Sequence, residues 1–231
     1  MRSISRESLP AAVAAAGLFL AVAAPVAAQQ PAPAAGGQHQ HDPGMPVEGG
    51  GVFPAGWTVR TDEEGQASQI KFVTMSPGWH VTVGTAAIYY RATDQAKAPF
   101  TLTTKIHLFP GTGSHQEAFG LFIGGEDLAG PKEEYTYFLI RGDGTFKVKQ
   151  RDGDKVSDVT PGWTANAAIV QAKADGPVVN VIVVAATADK VSFQVNGKEV
   201  WSGKVKDTNG QVGLRINHNL NMHVESLELT K

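Results

Sequence analysis

A chain of 231 residues with no cysteine and a formal net charge of −2 has no disulfide to staple it and no basic excess of the kind that binds nucleic acid. It is long enough, even after a leader is set aside, for one domain with a large core, so that domain must be stabilised by packing alone. Arg2 and Arg6 precede an Ala-rich apolar run from Ala11 to Ala28 that ends Val26-Ala27-Ala28, small residues where signal peptidase cuts. Pro25 and the weak hydrophobicity argue against a membrane anchor, and a lipobox would need a cysteine. Residues 1–28 are therefore predicted to be a signal peptide, with the product secreted or periplasmic and not stably inserted in a membrane after cleavage.

Residues 29–51 are Pro, Ala, Gly, Gln and His with almost no large apolar side chain, and are predicted to be a disordered linker. Deleting residues 29–50 should leave the melting temperature within about two degrees, and a larger fall would show that the segment packs on the domain. His39, His41, Asp42 and Met45 fall within seven positions of it. Two imidazoles, a carboxylate and a thioether suit copper or another divalent metal. A polar spacer that happens to contain histidine is the plainer reading, because a metal site usually has a folded frame around it. Calcium is the other ion to be tested against the chain.

The folded part is predicted to run from 52 to 231. Phe53 and Trp57 are its first large apolar side chains, with a turn at Pro54-Ala55-Gly56 between them. Short alternating runs follow at Ile70–Met75, Trp79–Val83 and Ala87–Arg91, each bounded by turn residues. From Phe100 to Phe109, Phe100, Leu102, Thr104, Ile106 and Leu108 share one face, and Thr101, Thr103, Lys105 and His107 share the other, the clearest period-two pattern in the chain. Next come strands at Ala118–Ile123, Tyr135–Arg141 and Thr145–Arg151, the last two joined by Gly142-Asp143-Gly144. The strand at Tyr135 is apolar or aromatic on both faces, with Tyr135, Tyr137 and Leu139 on one and Phe138 and Ile140 on the other, which places it inside a sheet. Further strands are predicted at Ala167–Ala172 (whose alanines would also suit a helix), at Val178–Ala186 (β-branched on both faces, hence central), at Lys190–Val195 and Glu199–Ser202 about the Asn196-Gly197 turn, at Gln211–Asn217 and at His223–Leu229. A dozen or so short strands without a convincing helix imply an all-β, two-sheet antiparallel sandwich.

Several stretches carry a family resemblance: Trp79-His80, EAFGLFIGG at 117–125, YFLIRGDGTFKVKQRDG at 137–153, Trp163 after a Pro-Gly turn, FQVNGKEV at 193–200 and GQVGLRINHNLNMHVESLEL at 210–229. Together they resemble the concanavalin A-like jelly-roll superfamily. Within it the chain is most similar to the secreted bacterial branch that includes domain-of-unknown-function 1080 proteins, some described as 3-keto-disaccharide hydrolases. The resemblance covers roughly residues 52–231 and implies a jelly-roll sandwich. It says less about activity, because lectins, glycosidases and pure binding modules share the fold.

A retaining glycosidase of this superfamily would show paired acids on alternate positions of one strand. No such pattern is present. Glu126-Asp127 and Glu133-Glu134 are adjacent in a loop, where solvated charge is the default. His107, His115 and Glu117 could form a small acid–base or metal cluster, or be unrelated surface groups. Arg215 and Asn217 share a face opposite Leu214 and Ile216, and guanidinium and amide groups suit paired sugar hydroxyls, while Asn219 and Asn221 fit a loop built on Asx turns. Tyr137 and Arg141 share a face of another strand. Arg141-Gly142-Asp143 spells an adhesion tripeptide that the hairpin accounts for by itself. Trp79, Tyr89, Tyr135, Tyr137, Trp163 and Trp201 are the aromatics available to stack on a sugar.

The candidate ligand site is thus His107, His115, Glu117, Tyr137, Arg141, Arg215 and Asn217, with Tyr137 wet at its hydroxyl and Arg141 facing solvent. The first functional reading is a secreted or periplasmic module that binds a carbohydrate or similar polar ligand without catalysis. The resemblance implies an alternative, a sugar-acting hydrolase. The His-rich leader implies a third, a metal-handling periplasmic protein.

Overall fold

The computed structural model describes residues 46–50, 52–111 and 117–231. The expected signal peptide, most of the expected linker and the metal candidates His39, His41, Asp42 and Met45 lie outside the described residues, as does His115. The described residues form fifteen strands: β1 (Trp57–Thr61), β2 (Ile70–Thr74), β3 (Trp79–Val83), β4 (Ala87–Ala96), β5 (Phe100–Leu108), β6 (Ala118–Glu126), β7 (Glu134–Arg141), β8 (Thr145–Asp152), β9 (Lys155–Asp158), β10 (Thr164–Ala165), β11 (Val178–Ala186), β12 (Val191–Val195), β13 (Lys198–Gly203), β14 (Gly210–Ile216) and β15 (Leu220–Thr230). One 3-10 turn, Gln66–Gln69, precedes β2.

The strands make two antiparallel sheets. The first has the order β1-β4-β14-β6-β7-β8-β10, with β9 also paired to β8; the second has the order β13-β12-β11-β5-β15-β3-β2. Side chains of period two project from each sheet into a shared core, so Leu102, Ile106, Ile182, Val184, Phe193 and Val224 of the second sheet meet Tyr89, Leu121, Phe138, Ile140, Val148 and Leu214 of the first. This is the jelly-roll sandwich the alternating runs implied. The strong period of β5 reads out directly, its odd positions half-buried and its even positions buried.

β7 is buried on both faces, as its composition requires, and the structure supplies the reason. The outer face of the first sheet carries a second apolar cluster made of Ile88, Tyr90, Ala118, Phe122, Leu128, Tyr135, Tyr137 and Leu139, with Trp163 packed against it. The Asn196-Gly197 hairpin forms as expected between β12 and β13, with both residues at positive φ, 51° and 75°.

Three expectations need correction. Residues 167–172 form no strand, because side-chain amides satisfy their backbone instead: Ala168 N–H donates to Asn166 Oδ1 at 2.9 Å, Val170 N–H to Asn180 Oδ1 at 2.9 Å, and Asn196 Nδ2 to the Ala168 carbonyl at 2.8 Å. β11 is interior but third from the edge, and its outward Val179, Val181 and Val183 are only half-buried. Hydrogen bonding to the domain begins before Val52, because Gly49 and Gly50 donate to the Ser68 and Ile70 carbonyls at 2.9 and 3.1 Å. A leader deletion that stops at Met45 keeps these two bonds, and it should be the milder one.

Candidate functional site on the outer face of the first sheet

The second apolar cluster makes the outer face of the first sheet unlike an ordinary solvated sheet surface, which would alternate core residues with polar ones. Strand parity places Arg60 of β1, Arg215 of β14, Phe122 of β6, Tyr135, Tyr137 and Arg141 of β7, and Lys147, Lys149 and Arg151 of β8 on that face. Arg215, Arg141 and Lys147 lie against aromatic rings, and the charged ends of all these cations except Arg141 meet acids that arrive from the flanks. Arg60 lies 3.2 Å from Glu133, and the Arg151 Nε–H donates to the other oxygen of the same carboxylate. Lys147 lies 2.7 Å from Asp158, which is also 3.9 Å from Lys149.

Arg215 is the centre of the face. It is 6% exposed, and both of its terminal nitrogens donate to the Asp62 carboxylate, the second at 2.6 Å. Its Nη1 is also 3.5 Å from the Tyr135 hydroxyl, and its guanidinium carbon is 5.6 Å from the centroid of the Tyr137 ring. Such a bidentate, aromatic-backed pair is the geometry a guanidinium supports and an ammonium does not. Burial pushes the Tyr137 phenol well above its ordinary range, against the opposing pull of the Arg215 charge, so the hydroxyl stays neutral.

Asp62 is a contest of the same terms. Burial alone would raise its carboxyl, but the Arg215 charge and hydrogen bonds, with Arg151 and Arg60 behind them, bring it below its ordinary value. A depressed acid adds stability that is fully present above its unfolded pKa of about 3.9 and is lost as pH falls through the folded value. The stability gap between the wild type and Asp62→Asn should therefore be constant above about pH 5 and shrink below about pH 4 in thermal melts. A gap that persists unchanged at lower pH would show that the Asp62 charge is not what Arg215 responds to.

One end of the face, its closed end, is roofed by the segment after β6, and the other, its open end, carries the half-buried Trp163. At the closed end the segment after β6 folds back over the cluster: Leu128 packs into it, and Arg60 Nη1 donates to the Leu128 and Gly130 carbonyls at 2.7 Å each. At the other end Trp163, carried just ahead of β10, lies half-buried over the sheet. The Arg141 guanidinium stacks on its ring at 3.7 Å, and Lys147 Nζ is 5.8 Å from the same ring. Beside Arg141, across its pairing with Ala118, lies a polar group: Asn217 Nδ2 donates to Glu117 Oε2 at 3.5 Å, and His218 Nε2 is 3.2 Å from Glu117.

Of the residues the sequence singled out, Tyr137, Arg141, Arg215 and Asn217 share this face of the sheet, and Glu117 contacts Asn217 at its open end. Two of them are not as expected. Tyr137 is 5% exposed rather than wet at its hydroxyl, because Arg215 and the neighbouring rings cover it. Arg141 is stacked rather than free in solvent. His107 does not join them. β5 belongs to the second sheet, so His107 lies on the opposite side of the sandwich, where its Nε2 is 2.8 Å from Glu225 and its ring is 5.6 Å from that of His223. Among the described residues no group of three or more His, Asp or Glu side chains is arranged to hold a metal.

Asp62 and Asp158 are acids that the sequence does not single out. Glu133, expected among the solvated loop acids, is instead 4% exposed and clamped between Arg60 and Arg151. Nothing local to Asp62 marks it, since its partner lies 153 residues away. Trp163 did carry a signal, as a lone Trp after a Pro-Gly turn.

A separate concavity lies on the rim beside the closed end, lined by Glu126, Asp127, Pro131, Lys132, Glu134, Asp152 and Gly153. Lys206 bridges two of its acids, Glu134 at 2.7 Å and Asp152 at 3.1 Å. No aromatic side chain lines it, so a sugar ring would have nothing there to stack on.

No protein-family model matches the sequence, and no curated protein is significantly similar to it. Solved structures of the same shape do exist. The carbohydrate-binding module CBM66 from Bacillus subtilis superposes with a TM-score of 0.55 at 11% identity, over 76% of this chain and 96% of that one. A Bacillus subtilis protein of unknown function with a galectin-like fold gives 0.54 at 12%, over 75% and 88%. A glycoside hydrolase family 16 endo-glucanase from Bacteroides ovatus, in complex with G4G3G-2F-DNP, gives 0.54 at 12%, over 77% and 96%. The chain therefore has the two-sheet, galectin-like jelly-roll sandwich fold that these structures share.

Proposed function

We propose that this chain is a carbohydrate-binding β-sandwich and that it holds its ligand at the open end of the first sheet, around Trp163, Arg141, Asn217 and His218. The observation that carries the reading is a half-buried tryptophan on an otherwise self-covered sheet face, next to guanidinium, amide and imidazole groups that donate and accept in fixed directions. Fold neighbours that are a carbohydrate-binding module and an endo-glucanase support a sugar as the ligand class.

Binding is favoured over hydrolysis. The two acids nearest the centre of the face, Asp62 and Glu133, are each bound by arginine, and the Asp62 carboxyl is held below its ordinary value. A general acid for glycoside cleavage needs the opposite environment. The hydrolase of the domain-of-unknown-function 1080 type implied by the sequence resemblance remains the second reading, and action in the periplasm or outside the cell belongs to the same proposal.

A glycan array followed by titration calorimetry, with and without copper or calcium, tests the proposal. Trp163→Ala should weaken the best ligand by about tenfold or more, the scale on which a central aromatic contact acts. Unchanged affinity in that variant would move the site away from Trp163. Turnover of the bound glycan would replace the binding reading with the hydrolase one.

A further inference from the structure

We infer that the glycan held at this face is acidic, a chain bearing carboxylates, an inference that rests on the carbohydrate reading above. The molecule as a whole carries a net charge of −2. On the outer face of the first sheet, however, six cations (Arg60, Arg141, Lys147, Lys149, Arg151 and Arg215) meet three carboxylates (Asp62, Glu133 and Asp158). Each of those carboxylates is already engaged. Asp62 is taken up by Arg215, Glu133 serves two guanidiniums, and Asp158 serves two ammonium groups. Glu117, at the end of the face, is met by His218.

Arg141 is the surplus cation. Among the described residues it has no carboxylate within ion-pair distance, and its Nε is buried with no hydrogen-bond partner. Stacking on Trp163 at 3.7 Å fixes the plane of its guanidinium and, with Nε buried, leaves the edge formed by its two terminal nitrogens as the one a ligand can meet. A planar carboxylate satisfies such an edge with two parallel charge-assisted bonds, whereas a neutral hydroxyl leaves the charge uncompensated as water is displaced. From Trp163 an excess of positive charge continues along β8, where Lys147 and Lys149 share the one Asp158 carboxylate and Arg151 shares Glu133 with Arg60, so that each group keeps a net positive charge. A linear row of charge beside one stacking platform suits a polymer with charge on successive units better than a single small anion.

The test pairs each of a panel of uronate-bearing polysaccharides with its carboxyl-reduced neutral counterpart and adds sulfated chains as a third arm. Affinity is read by calorimetry at low and at physiological salt. The expected result is at least about tenfold tighter binding of an acidic chain than of its reduced counterpart, weakening as salt rises. Arg141→Ala should abolish most of that preference. Arg141→Lys, which keeps the charge but not the fork, should restore only part of it, and near-ultraviolet circular dichroism confirms that both variants are folded. A Lys147→Gln/Lys149→Gln variant gives an independent reading of the β8 row. Equal affinity for acidic and reduced chains would overturn the inference and leave the carbohydrate reading standing. An acidic preference unmoved by every one of these variants would overturn the location, and tighter binding of sulfated chains would overturn the carboxylate. Binding to no glycan of any arm would overturn both the inference and the reading it rests on.

Discussion

Truncating Phe138 to alanine should destabilise the domain by roughly 3–5 kcal/mol, the largest loss expected from a single core substitution here. Phe138 is 0% exposed and sits in the middle of β7, opposite Leu121 of β6 and Val148 of β8. Its ring reaches across the sandwich to the second sheet, 5.4 Å from the centroid of Phe193 and 6.0 Å from that of Trp201. The truncation therefore removes contacts between the sheets as well as transfer energy. Strands paired on both sides of β7 hold the backbone in place, so the void cannot easily collapse. In urea unfolding the midpoint should fall with little change in slope, because the surface exposed on unfolding is nearly the same. Phe138→Leu keeps most of the volume and should cost less than about 1.5 kcal/mol. A loss below about 1 kcal/mol for the alanine variant would mean that the inward face of β7 has been misassigned.

That assignment was legible in the sequence because a strand has a period of two, which fixes which side chains share a face. The same rule grouped Tyr137 with Arg141 and Arg215 with Asn217. Parity within a strand does not say which sheet the strand joins. β5 and β7 are each well patterned, yet they lie in different sheets, and that alone separates His107 from Tyr137. Nor does parity reveal what covers an outward face. The composition of β7 showed that both of its faces are buried, but the cover of the outer one comes from elsewhere: Leu128 from one loop, Trp163 from another, and Asp62 just past β1. Residues 167–172 fail for a related reason. Their apolar run Ala167-Ala168-Ile169-Val170 suits a strand, but the amides of Asn166, Asn180 and Asn196 offer the backbone other partners, and two of those three lie ten or more residues away.

Replacing Arg215 by methionine should cost about 2–4 kcal/mol, although the new side chain is apolar and matches the stem of the old one. Removing one partner of a buried ion pair typically costs about 3–5 kcal/mol, because the other charge is left without compensation. The lower range applies here because the Asp62 side chain is 33% exposed and can recover part of its hydration. Methionine keeps the packing of the stem against Tyr137 but supplies no donor to Asp62 or to the Tyr135 hydroxyl. The companion variant Asp62→Asn leaves a buried guanidinium facing a neutral amide and should also destabilise. The double variant, with neither charge, should recover part of both losses, since a buried pair is weak evidence of net stability while a half-pair is costly. Denaturant melts of the four proteins at pH 7 give the coupling energy directly. Additive losses in the double variant would show that Arg215 acts only through its stem, as a spacer between β14 and the aromatic rings. A positive coupling would instead make the Asp62–Arg215 pair the tie that anchors the segment after β1 against the centre of the sheet.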